Sequence, residues 1–195
     1  GVTVSHAYIE NGVYNVILTV TDNDGASSTA TATKTVLNRV PVASFTESAT
    51  TVYTGEVITF NASASYDPDG TIVSYKWNFG DGNTTTVATP IITHSYVENG
   101  IYLVTLTVTD NDGATNSASA TKTVLNRAPV ATFTESATIV YTKETIIFNA
   151  TASYDLDGSI VSYEWNFGDG NTTTVTNPII THAYLDNGTY VVTLT

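Results

Sequence analysis

The sequence predicts an all-β protein built from tandem two-sheet sandwiches, and three observations carry that prediction. The segment GVYNVILTVTDNDGA beginning at Gly12 returns as GIYLVTLTVTDNDGA at Gly100, and its first half returns as GTYVVTLT at Gly188, a spacing of 88 residues each time. Repetition at a fixed long period is the mark of a serial architecture. Within each repeat, apolar and polar residues alternate with period two and no convincing helical period occurs. Gly- and Asp-rich turns punctuate these alternating runs at short, regular intervals.

The copies are close. Residues 41–107 and 129–195 align without a gap and differ at 16 of 67 positions. Residue 1 corresponds to residues 89 and 177, inside a repeat, so neither end of the chain reads as a natural domain boundary. Three parts are expected: residues 1–37 as the C-terminal part of a domain, 40–125 as a complete domain, and 128–195 as a domain lacking its last strand. Open sheet edges in the two terminal parts are then expected, as in a stretch of a longer array.

Composition fits this class. An 88-residue unit is large enough to bury its own core, and 42% of the chain is apolar. Cysteine and methionine are both absent, which excludes cysteine-based redox, metal or nucleophile chemistry and is compatible with a secreted protein that does not rely on disulfides. Eighteen acidic and six basic residues give a net charge of −12. Such a surface repels nucleic acid and anionic lipid and favours divalent cations. No apolar run reaches the ~18 residues of a membrane span.

The elements follow in order through the middle repeat. Strands are expected at VASFT (42–46), VITFNAS (57–63), IVSYKWNF (72–79), TTTVA (84–88), IITHSY (91–96), YLVTLTVT (102–109) and SASATKTVL (117–125). In the third of these Val73, Tyr75, Trp77 and Phe79 share one face, with Ser74, Lys76 and Asn78 on the other. In the sixth Tyr102, Val104, Leu106 and Val108 point inward, and Leu103 and the threonines point out. Turns fall at DPDG (67–70), FGDGN (79–83), ENG (98–100) and DNDG (110–113). Seven short strands rich in Thr, Val, Ile and Tyr describe a sandwich. Differences between repeats, such as Ser44/Thr132, Thr59/Ile147, Lys76/Glu164 and Leu103/Val191, fall on faces assigned outward, while Trp77/Trp165 and Tyr102/Tyr190 are unchanged.

The runs SYDPDGTIVSYKWNFGDG (65–82) and THSYVENGIYLVTLTVTDNDG (93–113) resemble the PKD domain, an immunoglobulin-like β-sandwich first named in polycystin. The middle repeat carries the whole signature of that family, from W-x-F-G-D-G through H-x-Y to G-x-Y-x-V-x-L-x-V-x-D. The last repeat carries it from Tyr163 to Thr195, and the first begins at His6 and Tyr8. The fold expected is therefore tandem immunoglobulin-like β-sandwiches with an 88-residue repeat. The resemblance implies a non-catalytic module of secreted and cell-surface proteins, used for spacing, for contact with protein or polysaccharide, and for bearing load. Because the copies are nearly identical, the principal expectation is an extracellular structural protein forming a filament, stalk or surface layer by association with other copies of itself. The rival is an adhesive or polysaccharide- or protein-binding accessory region of a secreted hydrolase or adhesin.

No enzyme is expected: the sequence contains no G-x-S-x-G, H-E-x-x-H, P-loop or G-x-G-x-x-G motif. His6, His94 and His182 occupy one equivalent position per repeat. They are expected to be structural, near the domain edge with a ring nitrogen bonded to backbone. Trp77 and Trp165 are expected as plugs between the sheets.

In an immunoglobulin topology the loop between the second and third core strands and the loop after the sixth lie at one pole, where the chain enters the domain. That brings Asp67, Asp69, Asp110 and Asp112, with the linker residue Asn38, within reach of one another; in the last repeat Asn126, Asp155 and Asp157 match Asn38, Asp67 and Asp69. Converging hard oxygens suit Ca²⁺, which takes six to eight oxygen ligands. Asp and Gly are also ordinary turn formers, so a turn-only reading stands beside calcium as cofactor. Some PKD domains of secreted collagenases bind calcium at that pole, so the resemblance implies it here. Asp81 and Asp169, at the opposite pole, are expected to do no more than form a turn. The short linkers LNRVP (37–41) and LNRAP (125–129) predict a nearly fixed relation between successive repeats. Sequons at Asn61, Asn83, Asn149, Asn171 and Asn187 are glycosylation candidates, with Asn83 and Asn171 the accessible turn positions.

Overall fold

A computed structural model describes residues 2–195; Gly1, the first residue of the 1–37 segment, lies outside the described residues. Sixteen strands and no helix are present among the described residues. Contacts divide the chain into two compact units. One holds the residues up to Val52 with Glu56–Tyr96 and Gly100–Val124; the other holds Tyr53–Gly55, Val97–Asn99 and Leu125–Thr195.

In the first unit, β1 (Gly12–Thr21) and β2 (Ser27–Val36) form an antiparallel hairpin in unbroken register from Gly12↔Val36 to Thr21↔Ser27. The sandwich proper is made by two sheets. β3 (Thr46–Glu47), β5 (Val57–Asn61) and β8 (Ile91–Ser95) form a three-stranded sheet in the order β3-β5-β8. Facing it is a five-stranded sheet in the order β4-β10-β9-β6-β7, from β4 (Thr51–Tyr53), β6 (Ile72–Asn78), β7 (Thr84–Val87), β9 (Gly100–Asp110) and β10 (Thr115–Leu125). Alternation along these strands delivers Ile58, Phe60, Trp77, Val104, Leu106 and Val108 to the space between the sheets, all fully buried. Each such side chain removed from water contributes about 1.5–3 kcal/mol of driving force. The aromatic rings meet one another there, Phe45 edge-on to Trp77 at 5.2 Å and Phe60 tilted at 5.6 Å.

Two details depart from the sequence reading. Strand β4 was not among the seven expected; only its central Val52 is buried, too short a signal for a period to register. Val73 faces solvent, 51% exposed, not the core. The ladder between β6 and β9 shifts register between Ile72 and Ser74, a β-bulge, and the extra residue exchanges faces so that Ile72 packs on the core instead. The first expected strand is also reduced, to a single bridge from Val42 to Tyr66 followed by β3.

The second unit repeats the plan with shorter strands. β11 (Thr134–Glu135), β12 (Ile146–Asn149) and β15 (Ile179–His182) form one sheet, and β13 (Tyr163–Asn166), β14 (Thr172–Val175) and β16 (Thr193–Leu194) the other. Its core gathers Ile146, Phe148, Ala150, Trp165, Phe167 and Tyr184. Both tryptophans lie fully buried between sheets, as expected of inter-sheet plugs, and neither indole N–H finds an acceptor.

Candidate functional site

The acidic pole of the first unit is assembled by three segments: the linker after β2, the turn between β5 and β6, and the turn between β9 and β10. Asp110, at the end of β9, is buried. Its Oδ1 accepts the backbone N–H groups of Asp112 (2.9 Å) and Ala114 (2.8 Å), closing the turn, and its Oδ2 accepts the Asn38 side-chain amide at 3.0 Å. Burial pushes this carboxyl up, but the bonds from Asn38, Ala114 and Asp112 outweigh it and hold it below the usual carboxylate range. Asp69 accepts the Arg39 backbone N–H, at 3.0 Å to Oδ2.

Asp67 is the unusual member. Both its carboxylate oxygens are buried without a hydrogen-bond partner, and so is the Asn38 carbonyl oxygen Oδ1. Burial pushes the Asp67 carboxyl up, the nearby Asp69 backbone N–H offsets only part of this, and the charges of Asp110 and Asp69 push it up further. Gly70 makes the close approach of the loops workable: a Cβ there would lie 2.2 Å from Asn111 Oδ1 and 2.7 Å from Asp67 Oδ2. Asn111, which sequence reasoning passed over, ties the two loops together, accepting the Thr71 N–H at 2.7 Å and donating its own N–H to the Thr71 carbonyl at 3.0 Å.

The residues named from sequence thus share one pole but are not equally free to hold a cation. Asn38, Asp67 and Asp110 supply inward oxygens, while Asp69 is engaged with backbone. Among the described residues no group of three or more His, Cys, Asp or Glu is gathered closely enough to be a ready metal cage. The three orphaned oxygens nevertheless have the hard-ligand chemistry that Ca²⁺ requires.

In the second unit Asn126 donates to the Arg127 carbonyl at 2.9 Å. Asp155 accepts the Asp157 N–H at 3.2 Å, and Asp157 Oδ2 accepts the Arg127 N–H at 2.9 Å and the Thr54 hydroxyl. The Thr54 bond does most to lower the Asp157 carboxyl, and its Oδ1 remains buried without a partner. Arg127 also lies over the Tyr53 ring, 5.1 Å from its centre.

The opposite pole corrects two expectations. Asp81 is more than a turn former: it accepts the Asn83 backbone N–H at 3.0 Å, the Asn83 side-chain amide at 2.9 Å, and stands 2.8 Å from His94 Nε2. The histidine is structural as expected, but its partner is this carboxylate and not backbone. Its ring stacks on Phe79 at 3.9 Å and meets Tyr96 edge-on, while the Tyr96 hydroxyl donates to the Phe79 carbonyl at 2.9 Å. Asp169, His182, Phe167 and Tyr184 reproduce the same cluster. Desolvation raises Asp169, yet the Asn171 and His182 bonds prevail and bring its carboxyl down to about 2. Gly80 makes the turn possible: its φ is +83°, and a Cβ there would sit 2.8 Å from the Leu103 carbonyl oxygen. The signal lay in the repeat itself, since Asp and His recur 13 residues apart in both copies.

This network also involves the sequons. The Nδ2 atoms of Asn83 and Asn171, which would carry a glycan, donate to Asp81 and Asp169. Asn61 and Asn149 are half-buried with Oδ1 accepting Ser63 N–H and Thr151 N–H, and Asn187 is exposed.

A further ion pair was missed. Lys122, on β10, is fully buried and pairs with Glu47 of β3. Its position between Ala120 and Val124 on the inward face of the alternation was a readable sign.

Fold and poles define a tandem immunoglobulin-like β-sandwich with paired Asp–His turns. The family model for the PKD domain matches residues 1–36, 38–125 and 126–195, and the chain belongs to that family. It is 52% identical over 71 residues to a microbial collagenase of Vibrio alginolyticus, covering 36% of this chain and 8% of that protein. It is 42% identical over 106 residues to the pre-pro-metalloprotease PrtV of Vibrio cholerae, covering 54% of this chain and 11% of that protein. The chain therefore spans about a tenth of these relatives. The solved PKD1 domain of Vibrio anguillarum Epp is 38% identical, covering 45% of this chain and 96% of that one, with a TM-score of 0.39. No helix among the described residues is long and apolar enough to cross a membrane.

Proposed function

We propose that this chain is a non-catalytic accessory segment of an extracellular protein, in which tandem sandwiches hold an attached domain against a macromolecular substrate. The observation that carries this reading is the 52% identity to part of a collagenase, in a segment amounting to 8% of that protein. It favours the accessory role over the filament, stalk or surface layer that the near-identity of the repeats suggests. The net charge of −12 directs the choice of substrate towards neutral polysaccharide or protein fibres and away from polyanions. Exposed Tyr66 and Tyr154, 88 residues apart, offer repeated aromatic contacts to such a surface. Retention of the 195-residue chain on fibrillar collagen or on a neutral insoluble polysaccharide, reduced by Tyr66→Ala with Tyr154→Ala, is the expected result. Passage of the chain through every matrix unretarded would leave it a spacer.

Calcium binding at the acidic pole is part of the same proposal, supported by the orphaned oxygens of Asp67 and Asn38. Asn38, Asp67 and Asp110 would hold the ion, with the equivalent pole of Asn126, Asp155 and Asp157 in the second unit. A bound cation would offset the burial of the Asp67 charge and join the linker to both loops. The melting temperature should rise with millimolar Ca²⁺ and fall back with chelator. Because the Asp67 carboxyl is pushed up, its ionised form opposes folding above its folded pKa. Asp67→Asn should therefore raise the metal-free melting temperature while abolishing the calcium response. Identical melting with calcium and with chelator would remove the ion from the proposal.

A further inference from the structure

The outward face of the five-stranded sheet in the first unit is a patch of neutral polar side chains around one charge. Lys76 of β6 is flanked across the sheet by Thr86 of β7 and Thr107 of β9, and in the next row Asn78 is flanked by Thr84 and Thr105. All six are exposed or half-buried. The two β9 hydroxyls are bonded onward to β10, Thr107 to Ser117 at 2.8 Å and Thr105 to Ser119 at 3.2 Å. Hydroxyls already paired within the face lose less on leaving water than unpaired ones do.

The second unit presents the same patch with its charge reversed. Glu164 of β13 is flanked by Thr174 of β14 and by Thr195, with which it exchanges reciprocal backbone bonds of 2.9 Å. In the next row Asn166 is flanked by Thr172 and Thr193. Shifted by 88 residues the two patches are identical except at the centre, where Lys76 becomes Glu164. Among the 16 differences between residues 41–107 and 129–195, only Gly55/Lys143 and Lys76/Glu164 change charge, and only the second inverts it. Both Lys76 and Glu164 are exposed, while Trp77 and Trp165 beside them fill the cores, so packing within a sandwich does not account for the reversal.

We propose that the β6–β7–β9 face of one copy docks on the β13–β14–β16 face of a second copy, centred on an ion pair between Lys76 and Glu164. Threonine hydroxyls and the asparagine amide both donate and accept hydrogen bonds, so the surroundings of the two charges suit one another and also suit themselves. The central charge removes that ambiguity. Lys76 against Lys76, or Glu164 against Glu164, sets like charges together, and the favoured contact joins unlike repeats. An exposed ion pair adds little affinity, so the polar rows supply the contact and the charges choose the partner face. In a chain of net charge −12 any contact between copies works against repulsion, and Lys76 is one of only six basic residues that can relieve it. The contact is heterologous: each copy offers one face of each sign, and successive contacts close a ring or extend a line.

The experiment measures sedimentation velocity of the 195-residue chain from micromolar to millimolar concentration. In parallel, an equal mixture of unlabelled and ¹⁵N-labelled protein is coupled with a zero-length carbodiimide and read by mass spectrometry. Expected are concentration-dependent association and Lys76–Glu164 cross-linked peptides of mixed isotope. Lys76→Glu and Glu164→Lys should each weaken association about ten-fold, since attraction becomes repulsion, and mixing the two single variants should restore it. Both positions are exposed, so the melting temperature of each variant should stay unchanged and the reversals report on contact, not folding. A monomer at every concentration would overturn the proposal. Association that ignores either reversal, or cross-links confined to a single isotope, would overturn it equally. A Lys76→Glu chain that loses retention on polysaccharide while its self-association is unaltered would assign the face to the matrix and overturn it too. Retention of the unchanged chain on collagen or polysaccharide is a separate readout, so failure here and failure of the accessory role are distinguishable.

Discussion

β1–β2 and β9–β10 are nearly the same hairpin in two surroundings. Both keep their antiparallel register across ten residue pairs. Yet Leu18 is 60% exposed and Leu106 is 0% exposed, and Lys34 lies in solvent while Lys122 is enclosed with a carboxylate partner. The ladder is a local property of alternation and of the DNDG turn, in which Asp22 Oδ1 and Asp110 Oδ1 each accept two backbone N–H groups. Burial comes from the opposing sheet. The pair therefore separates what sequence writes locally from what tertiary packing adds, and substitutions at equivalent positions measure that difference.

The largest effect is expected at the lysines. Lys122→Met leaves Glu47 partly buried beside an apolar side chain, and removing one partner of a buried pair costs about 3–5 kcal/mol. Lys34→Met should leave monomer unfolding unchanged within about 0.5 kcal/mol. Chemical denaturation of both variants checks this, and equal losses would mean that the two hairpins share one environment. Adding Glu47→Leu to Lys122→Met should recover most of the loss, since a packed apolar pair of similar volume is often as stable. The core positions come next. Leu106→Ala should destabilise the first unit by about 2–5 kcal/mol through lost transfer energy and a cavity, and Leu18→Ala by a small fraction of that.

Much of the fold was legible because its information is local: the 88-residue period, the alternation, the turns, the inward Trp77 and Trp165, and the sandwich class all follow from residue order. What escaped required partners distant in sequence. Val73 turned outward because of one bulge, which period counting cannot register when the flanking residues Ile72 and Val73 are both apolar. Asp81 looked like a turn residue since its turn role is real; its histidine arrives from another strand. The acidic pole was gathered from topology, so Asn38, Asp67, Asp69 and Asp110 were placed together. Whether each oxygen pointed inward was set by competing backbone donors, and Arg39 N–H took Asp69.

The Asp–His turns give a third, smaller difference with a definite pH sign. The Asp169 carboxyl is brought down to about 2 against about 4 in an unfolded chain, so it contributes stability that is present above the unfolded value and lost as pH falls through 2. Asp81 is lowered in the same direction by the equivalent partners, Asn83 and His94. Thermal melts from pH 5 to pH 2 should show Asp169→Asn less acid-sensitive than the unchanged chain, and already less stable at pH 5. A variant that kept the original slope would place the acid response elsewhere.

The smallest effect is expected at Val73, and it tests the bulge. Were Val73 inward, as unbroken alternation demands, replacing it with Thr would put a hydroxyl into the core and cost about 1–3 kcal/mol. Because the bulge turns it out to 51% exposure, Val73→Thr should change unfolding by less than about 0.5 kcal/mol, Thr being as well suited as Val to a solvent-facing strand position. Ile72→Thr supplies the contrast, since Ile72 packs on the core in Val73's stead and opposes Asp110 across the ladder. Equal losses from the two substitutions would mean that the register shift is absent in solution. A loss confined to Ile72 would fix the bulge, and with it the direction in which the chain enters β6 from the loop that carries Asp67 and Asp69.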